Sequence, residues 1–372
     1  MCIRDSLSIK RNDPACIIYT SGTQGNPKGV ILSHGGILNN CDGANDILKP
    51  LLTDQTRFLT WLPLSHSYEH TVQFVQISVG AKIFYAESIE KLIKNMNDCK
   101  PQLMTAVPRF YQNLFQKINA SFNKATGLKK SLVLKMLELG TKKINKKPLT
   151  IIEKLIDNIL EKIVRKKIKS QFGGELKTFV SGGGALDKEV GIFLNAIGLP
   201  TLQGYGLTET NAVGTLNLGK DYLSHPGSCG KAVPPVTDVA VIDENWNFLD
   251  EEKAVGEIVI KSPANMVGYW MNQEATDEVF NDDGWFKSGD LGYIDDGFVY
   301  IVDRVKDMVI RGGENISCIE VETAIYAHPS VQEAAVFGIP EERLGETLCV
   351  AICLKPSMEL TCLLYTSDAA DE

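Results

Sequence analysis

Ala15-Cys-Ile-Ile-Tyr-Thr-Ser-Gly-Thr-Gln-Gly-Asn-Pro-Lys-Gly29 runs from an apolar strand pattern straight into a loop of glycines and hydroxyls. Ala15–Tyr19 reads as a short buried strand. The loop then packs Thr20, Ser21 and Thr23 with Gly22, Gly25 and Gly29, and Lys28 follows. Glycines let backbone N–H groups approach phosphate oxygens, hydroxyls add donors and a lysine adds positive charge. The string is not GxxxxGK[ST], because Lys28 is followed by Gly29. Composition alone leaves an ordinary surface turn open beside the phosphate-loop reading.

Outward from this loop, strand and helix patterns alternate. Ser33–Leu48 and Thr71–Val79 have helical spacing; Phe58–Leu62, Ala81–Tyr85, Leu103–Val107 and Leu176–Val180 read as strands. Residues 109–170 read as long helices broken near Gly127, Gly140 and Pro148. Beyond about residue 230 short strands take over: Asp238–Ile242, Gly256–Ile260 and Phe298–Val302. Asp303–Asp307 is a charged connection. After it, Met308–Ile310, a GGEN turn, a helix near Ile319–Ala327 and Gln332–Ile339 make a second small unit. The pattern predicts an α/β fold: a large N-terminal domain of mixed and parallel sheets, a small β-rich subdomain, a hinge, and a small α+β C-terminal domain.

Composition narrows the class. At 44% hydrophobic and 23% charged residues, the bulk of the chain is neither disordered nor fibrous. A net charge of −8 speaks against general nucleic-acid affinity. Nine cysteines without a CxxC pair point to reduced thiols and a cytoplasmic setting. The charge is uneven, since residues 117–170 hold 15 Lys/Arg against four acids. Within that stretch, Ile151–Val164 places apolar residues at helical spacing, with lysines and Arg165 clustered on the remaining face and at the end. Two readings stand: a helix packed on its own core with a solvated basic face, or peripheral contact of 121–170 with an anionic membrane.

Further strings recur in order along the chain. They are Leu62-Pro-Leu-Ser-His66, Ser181-Gly-Gly-Gly-Ala-Leu186, Gly204-Tyr-Gly-Leu-Thr-Glu-Thr210, Gly284-Trp-Phe-Lys-Ser-Gly-Asp290, Asp303-Arg-Val-Lys-Asp307 and Gly312-Gly-Glu-Asn-Ile-Ser317. Singly, each has a bland reading: a core histidine, a helix-entry turn, a turn aspartate, a salt-bridge cluster. Together with the first loop they resemble the adenylate-forming (AMP-binding enzyme) superfamily, which holds acyl-CoA synthetases, luciferases and peptide-synthetase adenylation domains. Ala106-Val-Pro-Arg-Phe-Tyr111, followed by a long helical insertion, is similar to the long-chain fatty-acid–CoA ligases.

The resemblance implies a set of roles. The 20–28 loop, through Thr20, Ser21, Gly22, Thr23, Gly25 and Lys28, would hold the ATP phosphates. His66 would lie beside the acyl group. Gly183, Gly184 and Ala185 would lie along the adenine, on which Tyr205 stacks, followed by Gly206. Thr208 would bond the α-phosphate, and Glu209 would hold Mg²⁺. Asp290 would accept the ribose hydroxyls and Arg304 would contact ribose or phosphate. Lys306 would be the hinge pivot, and Gly312 and Gly313 would line the CoA tunnel.

By the same resemblance, residues 7–302 form the adenylation domain, 303–307 the hinge and 308–360 the C-terminal domain. A long-chain fatty acid, ATP and CoA would be the substrates, and a homodimer is an arrangement such enzymes adopt. No tryptophan stands just after the His66 motif, where Tyr68, Glu69 and His70 follow instead. Complete relatives carry a catalytic lysine near their end, whereas no lysine follows Lys355 here. Residues 1–6 and 361–372 read as non-native termini. Poor activity of the chain as written is the resulting expectation. The alternatives are a fatty-acyl-AMP ligase, another acid–CoA ligase, and an inactive lipid- or nucleotide-binding scaffold on the same fold.

Overall fold

The computed structural model describes residues 8–20, 27–49, 51–233, 238–305, 308–311, 314–326, 328–341, 343–355 and 358–359. Ser21, Gly22, Thr23, Gly25, Lys306, Gly312 and Gly313, with the termini 1–6 and 361–372, lie outside the described residues.

The opening stretch forms β1 (Pro14–Thr20) and β2 (Lys28–Ser33), an antiparallel pair that sets Tyr19 opposite Gly29 and Thr20 opposite Lys28. The Ser33 hydroxyl accepts from Gly36 N at 3.0 Å, an N-cap that starts α1 (His34–Leu48). Next come β3 (Arg57–Thr60), α2 (Ser67–Ser78), β4 (Lys82–Tyr85), α3 (Leu92–Cys99) and β5 (Leu103–Ala106). Pro108 sits at the first turn of α4 (Pro108–Asn123), where its missing N–H costs nothing. Then follow α5 (Gly127–Ile144), α6 (Ile151–Leu160), a π-helical turn (Glu161–Arg165) and α7 (Lys166–Ser170).

The chain returns to the sheet as β6 (Thr178–Ser181), α8 (Lys188–Ala196) and β7 (Thr201–Tyr205). Strands β4-β3-β5-β6-β7 are parallel; β8 (Thr215–Leu216) and β9 (Lys231–Ala232) extend the sheet antiparallel, giving seven strands. Helices cover this sheet over a core that includes Met104, Tyr111, Met136, Phe179 and Leu194. Parallel strands lie ends-together, so their carboxyl ends open onto a shared crevice.

A four-stranded antiparallel sheet holds β10 (Asp238–Ile242), β11 (Gly256–Lys261), β13 (Phe286–Asp295) and β14 (Phe298–Arg304). Between them β12 (Gly268–Tyr269) leaves to pair with β2. The C-terminal unit is a sheet of order β16-β15-β18-β17: β15 (Val309–Arg311), β16 (Glu314–Ile316), β17 (Val331–Glu341) and β18 (Gly345–Leu354). Helix Cys318–Tyr326 packs on it. An ion pair from Arg109 to Glu333 ties this unit to the start of α4.

The architecture is the α/β arrangement expected, with four local differences. The second helix begins at Ser67 rather than Thr71, because His66 caps it through Nδ1. Strand β14 runs through Arg304, so Asp303 and Arg304 are strand residues. Gly140 does not break a helix, since α5 continues through it to Ile144. Its role is close approach: a Cβ there would stand 2.7 Å from the Ala196 backbone on α8. Finally, Arg165 is not on a solvated face. It is buried, bonding Asp157 Oδ1 at 2.7 Å and the carbonyls of Ala196 and Met136. A buried guanidinium needs this full set of acceptors, since losing one partner strands a charge in the core.

Candidate functional site

One cavity of about 800 Å³ opens along the carboxyl ends of the parallel strands. Thr20 and Lys28 reach it from the first hairpin, and His66 from the cap of α2. Gly183, Gly184 and Ala185 form a wall after β6. Tyr205, Gly206, Thr208 and Glu209 enter after β7, while Asp290 and Arg304 come from the antiparallel sheet. Every sequence-expected site residue that the structure describes therefore lines this single cavity.

Register explains the last pair. Antiparallel pairing of β13 with β14 sets Asp290 opposite Arg304, and Arg304 Nε stands 3.5 Å from Asp290 Oδ1. Tyr205 donates its hydroxyl to Asp290 Oδ2 at 2.7 Å. Burial, and then the Asp290 charge, pushes the Tyr205 phenol well above its usual value, so it remains a donor. Asp290 N is held by Ser288 Oγ, and Gly289 N donates to Glu257 Oε1 at 3.0 Å. A nearly buried carboxylate is thus fixed at the cavity wall by charge-assisted contacts.

The turn that carries Thr208 and Glu209 is a short 3₁₀ segment, Thr208–Thr210. Asn211 ends it in the left-handed region, φ 53°. The fully buried Asn211 anchors the turn to three elements: its carbonyl accepts from Asn40 Nδ2 and Thr71 Oγ1, and its amide donates to Ala264 O. Thr208 Oγ1 lies 3.0 Å from Ser67 Oγ, and Glu209 Oε1 accepts from the Tyr269 hydroxyl at 2.9 Å. Lys28 Nζ sits 4.7 Å from the centre of the Tyr269 ring, a cation–π contact. Lys28, Tyr269 and Glu209 thus form a chain from the start of β2 to the carboxylate expected to bind metal. Burial, with Glu209 nearby, holds the Tyr269 phenol protonated.

His66 Nδ1 accepts from Tyr68 N at 3.2 Å, which leaves Nε2 to carry the proton. Tyr68 is fixed in turn, donating to Val180 O at 2.9 Å. Ser67, Tyr68, Asn211 and Tyr269 brace the candidate site residues, and sequence reading missed them. Their partners across the fold lie 53 to 171 residues away, and no short spacing advertises them.

The donors and acceptors suit a nucleotide. Ser181 Oγ, Gln203 Oε1 and Asp303 Oδ2 are buried atoms without a hydrogen-bond partner, and their residues all line the cavity. Such orphans at a wall are what a polar ligand satisfies. Among the described residues no cluster of three or more His, Cys, Asp or Glu forms a metal cage. One carboxylate with a free lone pair, Glu209, suits Mg²⁺, which keeps waters and takes phosphate oxygens as its remaining ligands.

Away from these groups the cavity turns apolar, lined by Ile47, Leu48, Phe58, Val75 and Leu103 between α1, α2 and the sheet. Beneath it Glu69 is fully buried, and Thr105 donates to its Oε2 at 2.8 Å. Burial raises the Glu69 pKa against the opposing pull of the Thr105 and Thr60 hydroxyls. The unfolded chain then loses this proton before the folded one, so Glu69 lowers stability as pH climbs from the ordinary glutamate value through the raised one. Glu69→Gln should remove that descent. Urea unfolding at about pH 4.5 and pH 8 reads the difference from the parent, with the variant gaining at the higher pH. Parallel pH profiles in parent and variant would show that Glu69 ionises as an ordinary glutamate.

Comparison with known proteins agrees with this geometry. The family model for AMP-binding enzyme matches residues 4–270, and that for the AMP-binding enzyme C-terminal domain matches 320–368. The chain is 32% identical to a long-chain-fatty-acid–CoA ligase of Bacillus subtilis over 94% of its own length and 55% of that protein's. It is 30% identical to a long-chain-fatty-acid–[acyl-carrier-protein] ligase, AEE15, of Arabidopsis thaliana, covering 91% of this chain and 51% of that protein. The chain thus spans about half the length of the curated relatives it matches. Among solved structures, ATP-bound MatB from Rhodopseudomonas palustris superposes with a TM-score of 0.72 at 28% identity, covering 95% of this chain and 60% of that one. With the family's model matching well over half of its residues and its motif positions converging on one cavity, the chain belongs to the AMP-binding enzyme family.

Proposed function

We propose that the chain belongs to an ATP-dependent long-chain fatty-acid–CoA ligase. The observation that carries this reading is the continuity of the cavity: anchored polar groups at one end run into an apolar compartment at the other. An acyl-adenylate has that polarity, with the nucleotide joined to a hydrocarbon chain at a single carboxyl.

In this reading Asp290 accepts from the ribose hydroxyls, and the 183–185 wall and Tyr205 flank the base. Lys28 and the Thr208 hydroxyl face the phosphates. When bound through Glu209, Mg²⁺ supplies charge neutralisation for the phosphates. A carboxylate oxygen of the acid attacks the α-phosphorus, the bond to the β-phosphate breaks, and pyrophosphate leaves. The CoA thiolate then attacks the acyl carbonyl, and AMP carries away the electron pair. Positioning and fixed charge provide most of the rate. The C-terminal unit, 308–360, turns about 303–307 between the two steps.

A binding series tests the substrate class without requiring turnover. In acyl-sulfamoyl adenosines the sulfamate replaces the phosphate, and the acyl group cannot be displaced. Calorimetric titration should show affinity rising with chain length, with palmitoyl at least about 100-fold tighter than acetyl, since each buried methylene contributes about 0.8 kcal/mol. A flat or falling series would assign the cavity to a short or aryl acid. The resemblance to AEE15 makes the acyl acceptor the second variable. Thioester formation with free CoA supports the CoA ligase, and transfer only to a phosphopantetheinyl carrier protein supports the carrier ligase.

A further inference from the structure

Helix α6 and the turn after it carry two apolar stripes, and the fold covers only one of them. Ile156, Leu160, Val164 and Ile168 face the main core. Ile151, Ile152, Leu155, Ile159 and Ile163 do not: they are 86%, 71%, 63%, 48% and 60% exposed. At about 100° per residue the first four fall within one arc of about 100° beside the buried one, and Ile163 carries the exposed row into the π-helical turn. Five large aliphatic side chains in a continuous exposed row make an interaction surface rather than scattered surface apolarity.

The charges around the row are sorted as well. All four acids of residues 117–170 are occupied on the protein side: Glu138 by Lys135, Glu153 by Lys142, Asp157 by Lys143 and Arg165, and Glu161 by Arg165 and Lys169. The Thr150–Glu153 capping box fixes the start of α6 in the same clamp. Lys146, Lys147, Lys154, Lys162, Lys166 and Lys167 are exposed, and among the described residues none has a carboxylate partner. The result is an outward apolar ridge flanked by unpaired lysines, on a chain whose overall charge is −8.

We propose that this ridge is a docking surface for an anionic lipid bilayer. The aliphatic row would enter the acyl boundary and the lysines would meet lipid phosphates, with the helix lying in the interface plane. No helix among the described residues is long and apolar enough to cross a membrane, so the contact is peripheral. Charge complementarity decides between occupants. A second copy of the same ridge would bring like-charged lysine flanks together, whereas an anionic surface satisfies the flanks and the row at once.

Co-sedimentation of the full 372-residue chain with vesicles tests the assignment. The chain should partition onto phosphatidylcholine vesicles containing about 30% phosphatidylglycerol, and only weakly onto phosphatidylcholine alone. Raising NaCl from about 0.1 M to about 0.5 M should weaken binding several-fold. The Ile152→Ser/Leu155→Ser/Ile159→Ser variant should lose about tenfold or more in partition, and Lys154→Glu/Lys162→Glu several-fold. These positions are exposed, so circular dichroism and ATP binding should match the parent, which separates loss of docking from loss of fold. No partition of the parent, or equal partition of parent and triple variant, overturns the proposal. It is also overturned if the parent is a dimer in vesicle-free buffer that the triple variant converts to monomer, because the row then belongs to a second copy.

Discussion

Asp290→Ala should weaken binding of an acyl-sulfamoyl adenosine about 100-fold while leaving the fold intact, because a charged acceptor that engages two hydroxyls contributes about 1.5–3 kcal/mol per bond. The carboxylate is nearly buried, pinned between the Tyr205 hydroxyl and Arg304 Nε, and needs no reordering to meet a ligand. Two companions separate recognition from architecture. Tyr205→Phe removes only the 2.7 Å anchor, and a loss of less than about fivefold is expected from one neutral hydrogen bond. Asp290→Asn keeps the shape and loses the charge, and should fall between the two. Calorimetry on all three reads the order. If Asp290→Asn binds as tightly as the parent, the ribose assignment fails. If Tyr205→Phe equals Asp290→Ala, the aspartate acts by holding the tyrosine and not by touching the nucleotide.

Gly206→Ala should be nearly as damaging, through geometry rather than charge. A Cβ on Gly206 would stand 2.5 Å from the carbonyl carbon and oxygen of Ala212 and 2.7 Å from Val213 N. All three are backbone atoms, and the Asn211 anchors hold this segment in place. It cannot swing aside as a flexible side chain would. The outcome is a loss of about 2–3 kcal/mol in unfolding free energy, typical of forced overpacking. Displacing the Thr208–Thr210 turn should also loosen the contact between Tyr269 and Glu209, so the dependence of ATP binding on Mg²⁺ should shift to higher concentration. Unchanged urea unfolding together with unchanged Mg²⁺ dependence would contradict the packing argument.

How much of this was legible in the chain depends on the range of each interaction. The strand before the glycine-rich loop, the helix opened by Ser33, and the antiparallel texture after residue 230 follow from neighbours in sequence: alternation, capping side chains and turn residues. The motif strings were legible for the same reason, since each packs its chemistry into a few consecutive residues. Gly140 shows the limit. As a local signal it reads as a helix breaker, and only the facing Ala196 backbone reveals a contact that admits no side chain. Arg165 shows it too, because a basic residue beside lysines looks solvated until Asp157 and two carbonyls enclose it.

The sequence by itself determined the alternation of elements, the order of the site motifs and the apolar spacing along 151–164. Each is a property of a few adjacent residues, encoded by covalent geometry and side-chain period. Tertiary structure alone decided that the scattered strings meet in one cavity, and that Tyr269 and Ser67 support Glu209 and Thr208. It also decided which apolar arc of α6 meets the core and which is left outside. Those outcomes depend on strand order and on surfaces brought together from distant parts of the chain, and periodicity carries no information about what lies opposite a given face.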